Sequence, residues 1–322
     1  MLATVASSWT TRSLWQKRQS GNARPERLAG WLARVDLDLA HIAGSLQRAG
    51  GSPCIADLIK CNVAVAEAKR GQDVGMRFPR ALRVSSICVG CAVDAGHANG
   101  EGAPDAIETY RSCGGYVLML ADEAILQDKS VPVAILDWKS GMTQRVCRST
   151  LAAEAAHLAN AVEIVDWTAV LLRETLRTYV DLRNWQLEAR AVHRFWATDA
   201  KSVFDYCTKE GTSMSKDKRM AIEGALLREV LREERTTLRW IDGSQNVADV
   251  LTKLGVDKQC LFKVQRDAKW SLVQDPAAAA AKAKKAAKRT VRREVLEKQR
   301  DVRYSAARKQ RAEELQASGA CD

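Results

Sequence analysis

The sequence predicts an α/β fold: a mixed sheet of five strands, three antiparallel and then two parallel additions, with helices on both faces. Three observations predict it. The middle of the chain falls into short apolar runs, with period two, bounded by Gly, Pro and charged residues. A long helical stripe follows, and beyond it helical and strand-like patterns alternate. A meander followed by alternating helices and strands implies a mixed sheet with helices on both faces.

Each element can be read in order. Residues 1–25 contain Arg12, Lys17, Arg18 and Arg24 and no acid, a composition like that of an organelle transit peptide but without a clear amphipathic helix. They read as a disordered leader. Between 26 and 78 the pattern turns helical: Leu28, Trp31, Leu32, Val35, Leu39, Ile42 and Leu46 recur at three- and four-residue steps. It resumes at Leu58, Val63 and Ala66 after the Gly50-Gly51-Ser52-Pro53 break. Residues 84–94, 115–122 and 131–138 read as strands, the last two close enough for a hairpin. Ser149 and Thr150 are good helix N-caps. After them Leu151, Ala155, Leu158, Val162, Val165, Ala169 and Leu172 step by four and three without a fault, a stripe that must face a sheet or another helix. Then come a strand at 194–198, helices at 201–207 and 218–232, a strand at 237–241 and a last helix near 246–254. After Lys258 the pattern decays. From Pro276 onward the chain is Ala/Lys-rich and then densely charged, helical or disordered.

Composition narrows the function classes. The net charge of +11 is uneven, with 13 Lys/Arg against 6 Asp/Glu after residue 275 and 37 against 33 before it. Such a tail favours polyanions, nucleic acid first, or is simply a solvated charge run. The longest stretch free of charged side chains is the opening 1–11, which argues against a membrane span. Nine cysteines, an odd number with one lone Cys88-x-x-Cys91 pair and four scattered histidines, give no zinc pattern and no disulfide framework, and read as reduced thiols.

Four carboxylates stand where strands end or helices begin: Asp94, Glu154, Asp199 and Asp249. If the strands ending at Asp94 and Asp199 are parallel neighbours, both side chains reach one crevice at the carboxyl edge of the sheet. Clustered carboxylates repel one another unless a cation neutralises them, and hard oxygen ligands suit Mg²⁺ or Mn²⁺. Two such ions can activate a water and stabilise the leaving oxygen of a phosphodiester. Taken one at a time, each acid is as well explained as a cap or a solvated residue.

Local sequence adds to this. Arg148-Ser149-Thr150-Leu151-Ala152-Ala153-Glu154-Ala155 resembles the "SRSSTEAEY" helix start of copia-type retrotransposon ribonuclease H domains, and Thr198-Asp199-Ala200-Lys201-Ser202 resembles their "CDNKSA". Ala248-Asp249-Val250-Leu251-Thr252-Lys253 is similar to their "ADILTK", and Val93-Asp94-Ala95 to the "SDADWA" that ends their first strand. Upstream, residues 32–40 and 64–78 resemble the connection between polymerase and ribonuclease H. The resemblance runs in order over about 28–255. It implies a connection segment at 26–82 and an RNase H-like domain at 83–256; the basic Ala/Lys-rich tail at 257–322, helical or disordered, has no counterpart in it. It also implies two Mg²⁺ or Mn²⁺ ions on Asp94, Glu154, Asp199 and Asp249, and endonucleolytic cutting of the RNA strand in an RNA–DNA hybrid. Asp105 and Asp122 compete for the place of Asp94, because the tryptophan expected near it is absent, but Asp122 ends the second strand, where it would not reach the crevice. There is no polymerase, protease or integrase signature, so the alternative is a catalytically inactive nucleic-acid-binding relic of such an element.

Around such a centre, Asn99, Ser202 and Gln245 are loop polar residues suited to reading the 2′-hydroxyl, and Lys201, Lys218 and Arg219 suit phosphates. The loop before Asp249, Asp242-Gly243-Ser244-Gln245, lacks the histidine that many such domains carry, leaving His97 and His193 as candidates, each better read as structural. Trp138, Trp167, Trp196 and Trp240 read as core.

Overall fold

The computed structural model describes residues 33–34, 36–48, 54–71, 73–100, 107–176, 179–209 and 217–273. The leader at 1–25, Asp105 and the basic segment from Pro276 onward lie outside them.

The sheet is mixed and has six strands in the order β5-β4-β1-β2-β3-β6. Strands β1 (Ile87–Gly96), β2 (Arg111–Asp122) and β3 (Val131–Val146) form the antiparallel meander. Strand β4 (Arg194–Thr198) adds parallel to β1, and β5 (Thr236–Trp240) adds parallel to β4. The predicted order and directions hold. The sixth strand, β6 (Lys269–Trp270), corrects the count of five: it pairs antiparallel with the start of β3, Trp270 opposite Val131. Two residues are too few to show an alternation, which is why the pattern seemed to decay after Lys258. The meander is also longer than its apolar run. The polar residues from Lys139 to Val146 continue β3, because their backbone groups still pair with the start of β2.

Period two in β1 separates two cores. Val89, Cys91 and Val93 face one side with Trp196 and Leu238, under α3 (Thr150–Leu176), α5 (Lys201–Thr208) and α6 (Lys218–Leu231). Cys88 and Ala92 face the other with Phe195, under Leu37, Ala40, Val250, Leu251, Leu261 and Val264. The stripe from Leu158 to Ala169 is buried as its spacing demands. By length and composition α3 is apolar enough to cross a bilayer, a property that counting charge-free runs misses. Half of its most apolar stretch is buried inside the protein, and Glu154 and Asp166 are buried on the helix, so it is the core helix of the sheet. The short α4 (Trp185–Arg190) packs beside it, and Trp167 stacks on Trp185 with ring centroids 5.1 Å apart.

Upstream, α1 (Ala40–Arg48) and α2 (Ile55–Arg70) pack on each other through Leu39, Ile42, Ala43, Leu46 and Ala64. Lys258 fastens this pair to the body, reaching Asp38 at 2.9 Å and Glu67 at 2.8 Å.

The predicted last helix at 246–254 is one single turn, Asp249–Leu251, with another just before the segment at Gly243–Gln245. The Asn246 side chain takes the Ala248 amide at 3.0 Å, and Asn246 itself is extended, so no helix passes through it. The last helix among the described residues is α7 (Gln259–Asp267), which buries Leu261, Val264 and Gln265.

Candidate metal centre

The strand order decides what meets. Because β1 and β4 are parallel neighbours with Val93 opposite Thr198, Asp94 and Asp199 leave the sheet side by side at its carboxyl edge. The turn Asp249–Leu251 lies over the same edge, close enough to the meander that a Cβ on Gly115 would sit 2.5 Å from the Leu251 Cβ. Gly115 is the β2 partner of Asp94, so bare backbone at that position lets the turn come down onto the strand ends. As a result one carboxylate oxygen from each of Asp94, Asp199 and Asp249 lies within 4.8 Å of the others. Glu154, in the opening turns of α3, approaches from the opposite face and is buried, as is Asp94.

The electrostatics is that of anions held together against repulsion. Burial, and then the charges of Asp94 and Asp199, push the Glu154 carboxyl up to about 9. Burial, then Asp94 and Asp249, push Asp199 up to about 6. Asp249 is raised chiefly by burial. Cations are few here. Lys253 reaches Asp249 at 2.7 Å and Asp94 at 3.3 Å, and although burial opposes its charge, those two acids hold its ammonium above the usual lysine range. Thr252 donates its hydroxyl to Asp94, and Asn246 donates to Asp199 and to the Val93 carbonyl, each at 3.1 Å.

The residues present suit a divalent cation. The donors are all hard carboxylate oxygens, as Mg²⁺ and Mn²⁺ prefer. Among the described residues, three carboxylates gather beside the ammonium of Lys253; Glu154 lies outside that group but feels the charges of Asp94 and Asp199, and its buried Oε2 has no hydrogen-bond partner. A buried acceptor left unpaired is costly, and a cation beside it removes that cost. In this arrangement Lys253 stands where positive charge is needed while no ion is bound. Replacing it by Met should therefore tighten Mn²⁺ binding several-fold and lower the melting temperature of the ion-free protein. Titration calorimetry and thermal melts in chelator would measure both, and unchanged affinity would contradict the account.

The remaining expected site residues are distributed unevenly. Asp122 is ruled out as the partner acid. It pairs with Ile87 at the other end of β1 and spends its carboxylate on the Ser86 hydroxyl and the Ala124 amide. Lys201 and Ser202 are exposed in the first turn of α5, two and three residues beyond Asp199. Lys218 and Arg219 are exposed in the opening turn of α6, whose Glu223 pairs with Arg145 near the end of β3. Asn99 is internally engaged, donating to the Thr252 carbonyl at 2.9 Å and accepting from the Cys113 amide at 2.8 Å, so it braces the site rather than facing a groove. Gln245 is half-buried, with its carbonyl taken by Trp270 and Cys260. His97 lies 3.0 Å from the Cys147 carbonyl and His193 2.9 Å from Glu123, which are structural placements.

Sequence reasoning passed over Asn246, Thr252 and Lys253 as separate participants, although all three stand in the motif around Asp249. It also passed over His157, which lies one turn past Glu154 on the same face of α3 and is pushed by burial to about 4. Two tryptophans depart from the core reading. Trp167 and Trp240 are each about half exposed, while Trp196 is buried as expected.

No family model matches the sequence, and no curated protein does. Among solved structures, the chain is similar to the N-terminal RNase H domain of Rv2228c from Mycobacterium tuberculosis, solved fused to maltose-binding protein. That match has 16% identity and a TM-score of 0.32, covering 52% of this chain and 91% of the other. RNase H1 from the halophilic archaeon Halobacterium salinarum matches at 16% identity and a TM-score of 0.33, covering 51% and 93%. LC11-RNase H1 in complex with an RNA/DNA hybrid matches at 15% identity and a TM-score of 0.32, again covering 51% and 93%. The fold is RNase H-like. That statement rests on strand order and direction, not on these scores: three antiparallel strands, two parallel additions beside β1, and helices on both faces.

Proposed function

We propose that the chain is a divalent-metal-dependent nuclease that cuts the RNA strand of an RNA–DNA hybrid. One observation carries the reading: acids more than 150 residues apart in the chain, Asp94 and Asp249, meet with Asp199 within 4.8 Å at the carboxyl edge of the sheet. The choice of hybrid comes from the copia-type segments around Glu154, Asp199 and Asp249, and descent from such an element belongs to the same proposal. Asp94, Asp199, Asp249 and Glu154 would hold the ions. When bound, a pair of divalent ions supplies charge for an attacking water and for the oxygen that leaves phosphorus.

The chain's own residues do the rest. Asn246 holds the Asp199 carboxylate in place through the same side chain that grips the Val93 carbonyl, so the ends of two strands share one brace. Thr252 orients Asp94. Lys201 and Ser202 lie beside Asp199 on an exposed turn, placed for phosphate and sugar hydroxyl. The half-exposed Lys253 is free to swing toward a phosphate once the acids have another counter-charge.

The test is cleavage of a hybrid labelled on its RNA strand, beside duplex DNA and duplex RNA, with Mg²⁺ or Mn²⁺ and with chelator. Cutting of RNA in the hybrid alone, abolished by chelator and reduced at least about a thousandfold in Asp199→Asn, is the expected result. Hybrid binding without cleavage, equal in both proteins, would leave the inactive nucleic-acid-binding relic in its place.

A further inference from the structure

At the lip of the metal centre stands a side chain that the reading above does not use. Trp240 ends β5 and is 47% exposed, a large apolar face left in water at the end of the parallel strand that edges the sheet. It is not loose. Its indole Nε1 donates to the Asp199 carbonyl at 3.1 Å, so the ring is tied to the backbone of a candidate metal ligand. Above the ring, 5.7 Å from its centroid, lies the ammonium of Lys201, from the first turn of α5. A flat aromatic face tied to one of the acids, with a cation over it from two residues farther along the chain, is the chemistry that binds a nucleotide: ring face on ring face, phosphate on ammonium.

From this geometry we infer that Trp240 and Lys201 form a platform for the nucleotide next to the phosphate held at the carboxylates. The indole face takes its sugar–base ring system and Lys201 takes its phosphate. The inference rests on the nuclease reading, and it adds a binding determinant that lies outside the acidic motif. The Asp199 tether makes the platform rigid, so a strand lying on it is set at a fixed distance from the acids.

Two substitutions separate the ring from its tether. Trp240→Phe keeps an aromatic face and loses the indole donor, whereas Trp240→Leu loses the face as well. In the full chain, with chelator present so that nothing is cut, fluorescence anisotropy would follow binding of a labelled hybrid and of each single strand. Trp240→Leu should weaken hybrid binding about tenfold and Trp240→Phe by no more than about twofold. Lys201→Gln should reduce the slope of affinity against salt by about one. Equal weakening in the Phe and Leu variants would show that the tether and not the face matters, and would overturn the platform. So would full binding in Trp240→Leu together with an unchanged salt slope in Lys201→Gln. If the wild-type protein binds none of the three nucleic acids, the nuclease reading itself falls and the platform with it. Binding by wild type that is insensitive to both residues sinks the platform alone.

Discussion

Glu154→Gln should lose hybrid cleavage by a factor of about a thousand or more and, in the same tube without divalent ions, be more stable than wild type at alkaline pH. The two effects have one cause. The Glu154 carboxyl is buried against Asp94 and Asp199 and pushed up to about 9, from an ordinary value of 4.5. Between those values the folded protein holds a proton that the unfolded chain has released, so the unfolded state binds fewer protons and stability falls as pH rises. The loss starts above about 4.5 and is complete beyond about 9. Asp199, raised to about 6, adds the same slope at lower pH. Glutamine cannot ionise, so the variant lacks the Glu154 part of the slope and should gain on the order of 2 kcal/mol near pH 8. Urea unfolding in chelator at pH 6, 7.5 and 9 would show the two proteins diverging as pH rises. Saturating Mn²⁺ should close the gap by stabilising wild type. Parallel stability curves would mean that Glu154 is not held among the other acids as the structure describes.

Arg194→Met should destabilise the fold by about 3–5 kcal/mol with little effect on Mn²⁺ affinity. Arg194 opens β4, only 1% exposed, with Asp166 of α3 at 2.5 Å and Glu233 at 2.7 Å. Glu233 keeps a second partner, Arg190 at 2.7 Å, but the buried Asp166 would lose its hydrogen-bonded counter-charge and keep only the more distant Arg190. Arg194 stands at the opposite end of β4 from Asp199, so the site itself should be spared. Adding Asp166→Leu should restore most of the lost stability, since removing both charges leaves no unpaired ion in the interior. Chemical denaturation of the single and double variants measures this, and a double variant no more stable than Arg194→Met would refute it.

How much of this was legible beforehand depended on the length of each signal. The stripe through α3 repeats over many turns and could belong only to a helix, and β4 could be read to the residue, 194–198, around the apolar Phe195-Trp196-Ala197. The carboxylates could be named because each stands at an element boundary, where a side chain can leave the core. What stayed hidden was short or polar. Strand β6 is two residues long. The far half of β3 is written in Lys, Ser, Gly, Thr, Gln and Arg, and is a strand only because β2 pairs with it. Asn246 carries an ordinary turn residue's identity, and nothing in its neighbours announces that its amide will join the ends of β1 and β4. Trp240 was misplaced for a related reason. Alternation puts an aromatic residue on a strand face, but whether anything covers that face depends on another part of the chain.

By itself the sequence determined β1 to β5 and the helices α3, α5 and α6, their order, and therefore that four acids stand near strand ends and the starts of helical turns, because periodicity and capping act over a few residues and are written locally. Only the tertiary structure decided that β1 and β4 are parallel neighbours, that bare backbone at Gly115 lets the Asp249 turn settle over them, and that Lys253 rather than a distant cation balances the acids. Those outcomes depend on strand pairing and on steric fit between segments more than a hundred residues apart, and no local pattern encodes either.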